Sequence, residues 1–156
     1  MRTETEAVLR NQYEAYAAMD IAAIDSAMTE DGVMHISGQH PLSGEYHGKV
    51  AAWEDLGKVA EVSGGQGGFV VHSITTDDHG HGVALLTGTI RDYVRQMIHV
   101  WHVKDGRITE FWDAYLDAAA EDAAAHPLGG VLHRQIQKEP QEHRLPLPPV
   151  RRTYRR

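Results

Sequence analysis

Cysteine is absent from the 156 residues. Disulfides, thiolate nucleophiles and cysteine–metal sites are therefore excluded. No stretch approaches the ~20 consecutive apolar residues of a membrane span. The opening MRTETEAVLR has no signal-peptide apolar core. The expectation is a cytoplasmic chain without a membrane segment. Basic residues are scarce through most of its length. Residues 1–125 carry 8 basic and 20 acidic side chains, a balance of −12, whereas residues 126–156 carry 7 and 2, a balance of +5. An acidic body argues against nucleic acid as a partner, which needs a basic footprint. A basic tail of opposite sign is better read as lying on its own body or on a neighbouring subunit.

Several motifs are missing as well. No His-Glu-x-x-His or carboxylate triad occurs. Eleven histidines invite a metal, but His99 and His102 are three apart on one strand and point to opposite faces, so no metal site is expected. Gly64-Gly65-Gln66-Gly67-Gly68 lacks the Lys-Ser/Thr ending of a phosphate loop. No Gly-x-Ser-x-Gly elbow supports a serine triad.

What is present fits one domain with a hydrophobic core. Thr3–Ala18 has helical spacing, with Val8, Leu9, Tyr13, Tyr16 and Ala17 recurring. Asp20 is the N-cap of a second helix over Ile21–Met28. Gly32–Gly38 reads as a strand and His40–Gly44 as loop. Gly48–Val62 reads as a third helix with an apolar stripe of Val50, Trp53, Leu56, Val59 and Ala60. Strands follow at Phe69–Thr76, Val83–Arg91, Val94–Lys104 and Arg107–Leu116, then an Ala-rich helix over Asp117–Ala125. Helices followed by antiparallel strands give an α+β class. Beyond residue 126 the prolines and glycines argue against compact structure, so the domain spans 1–125 and a basic, Pro-rich tail spans 126–156.

The stretch HVWHVKDGRITEFWDAYLD, from His99 to Asp117, carries the chemistry. It reads as two amphipathic strands around a tight turn. A three-residue loop Lys104-Asp105-Gly106 pairs Val103 with Arg107 and puts His99 and Asp113 on one face, diagonally adjacent. A two-residue loop Asp105-Gly106 would put them on opposite faces. Met97, Trp101 and Val103 share the His99 face, and Phe111 and Tyr115 share that of Asp113. Ile98, Val100, Ile108 and Trp112 fall on the other. An aspartate on an apolar strand is costly to bury unless paired or functional, and a histidine beside it can act as acid or base near neutrality. Asp113 and His99 are the leading catalytic candidates. Trp101, Phe111, Met97, Trp53, His72 and Ile36 are the candidates to line a pocket. His35 has the opposite parity to Met34 and Ile36 and faces away. His40 and His47 fall in a loop at the cavity mouth, and His79 and His81 in a solvated hairpin turn.

The run Trp101–Asp117, with Ser43-Gly44-Glu45-Tyr46-His47-Gly48-Lys49 before the third helix, resembles the nuclear transport factor 2-like superfamily, in particular the SnoaL-like polyketide cyclases. The likeness covers residues 5–120. It implies a cone: a curved antiparallel sheet packed on N-terminal helices around a cavity. It further implies a homodimer through the sheet face, with the tail reaching the partner. In the cyclases the base is an aspartate on the last strand with a histidine on the strand before it, matching Asp113 and His99. The implied activity is cofactor-independent cyclisation or isomerisation of an apolar, carbonyl-bearing polyketide. Relatives with other chemistry fit less well. The ketosteroid isomerase tyrosine, base and second acid fall at Gln12, Ile36 and His99, and the limonene epoxide hydrolase Arg-x-Asp pair is absent from Met97–Trp101. Scytalone dehydratase is nearer: its histidine matches His99 and its helix-one tyrosine Tyr16, but its neighbouring aspartate falls at Ala17. Dehydration, with His99 as base and Tyr16 polarising a carbonyl, is the alternative enzyme. A non-catalytic ligand-binding or accessory protein is the alternative outside catalysis.

Overall fold

The computed structural model describes residues 2–63, 67–90 and 93–125, the side chains of residues 55, 56, 59, 60, 62, 63, 67 and 125 excepted. The break at 64–66, the strand end at Arg91, the Leu56, Val59 and Ala60 part of the third-helix stripe, and the tail from residue 126 lie outside what is described.

Helix α1 (Arg2–Ala18) buries Thr5, Leu9, Gln12 and Tyr13, which recur three and four apart along one face. It stops because Met19 turns left-handed (φ 53°): Met19 N–H reaches the Tyr16 carbonyl and Asp20 N–H the Ala15 carbonyl. That pair of bonds satisfies the last carbonyls of the helix. Asp20 then caps α2 (Ile21–Ala27), its side chain accepting from Ala23 N–H at 3.0 Å. The chain passes at once into β1 (Met28–Ile36), which is longer at its start than its sequence suggests. Gly44–His47, expected as loop, forms β2. Helix α3 (Lys49–Ser63) follows, and its Val50 is 74% exposed, not part of a buried stripe. Then come β3 (Gly67–Thr76), β4 (His81–Ile90), β5 (Tyr93–Lys104), β6 (Arg107–Tyr115) and α4 (Ala118–Ala125).

The six strands form one sheet in the order β2-β1-β6-β5-β4-β3. All neighbours are antiparallel except β1 and β6, which are parallel. Register shifts in β1, β3 and β6 bend it. Its inner face meets α1 in a core of Leu9, Tyr13, Ala84, Leu86, Met97, Trp101, Val103 and Ile108. Gly82 allows that contact: a Cβ there would stand 2.3 Å from Leu9 Cδ1. No described helix is long and apolar enough to cross a membrane.

Candidate active site

The β5–β6 hairpin places the central pair by a route different from the expected one. The turn has two residues, Asp105 and Gly106, both with positive φ (51° and 73°), so Lys104 pairs with Arg107. That alone would set His99 and Asp113 on opposite faces. A bulge then inserts Thr109, so that Val103 faces Ile108 but His102 faces Glu110. The Thr109 hydroxyl donates to the His102 carbonyl at 3.2 Å. Above the bulge the parity is restored, and His99 lies directly opposite Asp113 rather than diagonal to it. Below the bulge Ile108 turns inward and is 1% exposed, contrary to its assignment to the outer face.

Asp113 and His99 are both 13% exposed at the side chain, with Asp113 Oδ1 3.4 Å from His99 Nε2. The two carboxylate oxygens differ. Tyr115 donates its hydroxyl proton to Oδ2 at 2.8 Å, whereas Oδ1 is buried without a hydrogen-bond partner. On the other side of the imidazole, Tyr13 OH lies 2.9 Å from His99 Nδ1 and accepts from Trp101 Nε1–H at 2.9 Å. An indole nitrogen only donates. Among the described residues the Tyr13 proton therefore has one acceptor, His99 Nδ1. Burial holds the Tyr13 hydroxyl well above the usual phenol range, and the Asp113 charge adds to it against the Trp101 bond. Tyr13 thus keeps its proton, and donating it to Nδ1 would place the proton of a neutral His99 on Nε2, facing the Asp113 oxygen.

A second polar layer lies behind Asp113. Arg95 Nη1 bonds Glu121 Oε1 of α4 at 2.7 Å, with side-chain exposures of 15% and 1%. The Arg95 guanidinium also stands 5.7 Å from the Tyr115 ring centre. Burial opposes the charge on Arg95, but Glu121, Tyr115 and Asp113 more than offset it. Burial pushes the Glu121 carboxyl up, and Arg95 offsets this only in part because Asp113 and Asp122 crowd the same site. The directions differ since negative neighbours favour the guanidinium and disfavour the carboxylate. Burial raises the Tyr115 hydroxyl as well, with the Asp113 charge second. His40, expected at a cavity mouth, is 5% exposed and packs edge-on to Tyr115. Its Nδ1 accepts from Leu42 N–H at 3.2 Å.

A cleft open to solvent at its mouth runs between the helices and the sheet. Tyr16, Trp53, Trp101 and Phe111 line it, together with Gln12, Met34 and Lys49. No atom of His99 or Asp113 does. The pair stands behind Phe111, whose ring meets the His99 imidazole edge-on at 4.9 Å.

Residues 9–111 match the family model described as a SnoaL-like domain. The chain belongs to the SnoaL-like family. No curated protein matches it. Solved structures share its fold. One is a protein of unknown function with a cystatin-like fold from Xanthomonas campestris: 22% identity, TM-score 0.72, 78% of this chain and 98% of that one. TerC, co-crystallised with polyporic acid, is 19% identical with a TM-score of 0.68 over 76% of this chain and 95% of its own. A nuclear transport factor 2-like protein from Burkholderia xenovorans is 16% identical with a TM-score of 0.63, over 78% and 97%.

Within this SnoaL-like fold the expected site residues separate. Trp101 and Phe111 touch both the pair and the cleft. Met97 and Ile36 are buried on the pair's face, Met97 opposite Tyr115 and Ile36 beside Asp113. Trp53 lines the cleft and donates to Asp25 at 2.8 Å. Tyr16 lines the cleft too, but Tyr13, one turn earlier, holds the histidine. His72 is a correction. It occupies the β3 bulge and bonds Thr87, whose position on β4 is outward, so it faces away from the cleft. His35 faces out as expected, stacked on Trp112 at 4.9 Å. Tyr13, Tyr115, Arg95 and Glu121 were not read as site residues. The Leu9–Tyr13 step along the buried helix face was the signal for Tyr13, and the face shared with Asp113 was the signal for Tyr115.

Proposed function

We propose that this SnoaL-like protein is a cofactor-independent acid–base enzyme acting on a carbonyl-bearing, largely apolar polyketide-type substrate. The observation that carries the reading is the buried, unbonded Asp113 Oδ1 3.4 Å from Nε2 of an imidazole whose Nδ1 meets the Tyr13 hydroxyl. Asp113 Oδ1 takes a proton from carbon next to a carbonyl. The electron pair moves to the carbonyl oxygen, and His99 Nε2–H gives that oxygen a hydrogen bond without losing its proton. The carbanion closes on a second carbonyl, and Asp113 returns the proton to the new alkoxide. Tyr115 holds Asp113 in place, and Tyr13 and Trp101 hold His99. Entry from the cleft requires motion of the Phe111 ring. The dehydratase reading is less well supported, because it needs a base on His99 where Tyr13 leaves a proton.

One observation favours a binding protein instead: the cleft is lined without His99 or Asp113. Solvent-deuterium incorporation into a panel of β-dicarbonyls and aromatic polyketide methyl esters separates the two. Exchange in the wild type that is lost in Asp113→Asn is expected. Thermal stabilisation by the panel without exchange would select the binding protein, and loss of water the dehydratase. A homodimer through the outer sheet face belongs to the same proposal. Val83 and Leu85 are 37% and 40% exposed there, and light scattering on the full chain at micromolar concentration tests it.

A further inference from the structure

We infer that the outer sheet face is a proton-dependent contact between two copies of this chain, and that His35 takes up the proton. Val70, Val83, Leu85 and Val94 are exposed on that face. Ile98, Val100 and Trp112 continue it across β5 and β6. An apolar field of this kind marks a partner surface. A stripe of histidines and carboxylates crosses it. His81 stands opposite His102, His102 opposite Glu110, and His35 opposite Glu45. Asp77 holds His81 at 2.8 Å, and Glu45 also bonds His47. With Lys104 and Arg107 paired at the hairpin end, the face holds both signs of charge. A two-fold contact lays a patch on itself, so a face of mixed sign suits a second copy better than a partner of one charge.

His35 makes the contact sensitive to protons. Its Nε2 meets Glu110 of β6 at 2.9 Å, and its Nδ1 meets Glu45 of β2 at 3.1 Å. A neutral imidazole has one N–H, so only the doubly protonated ring donates to both acids. Trp112 lies flat on the ring, 4.9 Å away at an angle of 7°, a stack that favours a cation. In a single subunit water reaches this group, and a neutral ring gives up one of its bonds at small cost. A second copy over the face removes that water. A carboxylate left against a bare ring nitrogen is then costly, and association draws a proton on to His35.

The inference rests on the dimer reading of this face, and the two fail separately. The test is sedimentation velocity of the full chain over a dilution series at about pH 6 and about pH 8, with circular dichroism checking the fold at each. The wild type is expected to dimerise about fivefold more tightly at the lower pH. His35→Gln is expected to lose most of that difference. Glu45→Gln leaves one acid for a neutral ring to serve, and is expected to lose it too. His79→Gln, in the turn before β4, is expected to keep it. A monomer at both pH values would overturn the inference and the dimer together. A wild-type dimer equally tight at both, or a difference that survives His35→Gln, would overturn the inference and leave the dimer.

Discussion

The two faces of the sheet carry the same pair of residue types in opposite states. On the outer face His35 sits between Glu110 at 2.9 Å and Glu45 at 3.1 Å, with side-chain exposures of 24%, 35% and 53%. Both ring nitrogens are in contact with a carboxylate, and water reaches the whole group. On the inner face His99 faces Asp113 at 3.4 Å, and the facing oxygen is buried and unbonded. A surface ion pair contributes little because water screens it and competes for it. A buried carboxylate oxygen without a partner is costly, and such cost is concentrated where chemistry is done. Proximity of histidine to carboxylate is thus uninformative by itself. Burial and an empty lone pair separate a reactive pair from a solvated one.

The comparison breaks most visibly by changing one carboxylate on each face. Asp113→Asn is expected to lower deuterium exchange by about 10²–10⁴-fold, the range of a lost general base. Glu110→Gln, which changes the outer pair, is expected to leave the rate unchanged. A comparable loss from both would mean that the faces do not differ in role.

The second effect is on stability. Arg95→Met strands Glu121, which is 1% exposed at its side chain, and is expected to cost about 3–5 kcal/mol in urea unfolding. Replacing both partners, Arg95→Met with Glu121→Leu, is expected to recover most of that loss. His35→Gln on the outer face is expected to cost about 1 kcal/mol or less.

Tyr13→Phe comes next. It leaves Trp101 Nε1–H and His99 Nδ1 without partners, at about 1–3 kcal/mol. It also removes the contact that orients the His99 ring, so deuterium exchange is expected to fall. An exchange rate equal to that of the wild type would contradict this.

The smallest effect belongs to His40. Burial holds its imidazole below the ordinary histidine value of 6.5, with Asp122 and Asp113 opposing. Between the lowered value and 6.5 the unfolded chain binds more protons, so His40 makes stability fall as pH falls through that window. His40→Asn keeps an acceptor for Leu42 N–H and removes the titration. The wild-type melting temperature should drop relative to this variant below about pH 6.5.

Much of the fold was legible because period and punctuation agree. Asp20 before an apolar helical run, the alternation in β4 and β5, and Asp105-Gly106 between two strands each point to one local structure. The bulge at Thr109 was not legible. A threonine suits a regular strand as well as a bulged one, and the extra residue is revealed only by which neighbour the chain meets. The same-face placement of His99 and Asp113 was expected from a three-residue loop, yet it arises from a two-residue turn plus that bulge. Tyr13 and Tyr16 lie three apart on one helix, so spacing alone does not say which reaches His99. Arg95 and Glu121 are 26 residues apart, and no local pattern joins them.

The claim on which the chemistry depends is that Tyr13 fixes His99 with its proton on Nε2, toward the bare Asp113 oxygen. Long-range proton–nitrogen correlation spectra of ¹⁵N-histidine-labelled protein at neutral pH read this directly, with His99 assigned by His99→Gln. A protonated Nε2 and a bare Nδ1, lost in Tyr13→Phe, is the expected result. A proton resident on Nδ1 would contradict it, because His99 would then turn a lone pair toward Asp113 and have nothing to give a forming enolate.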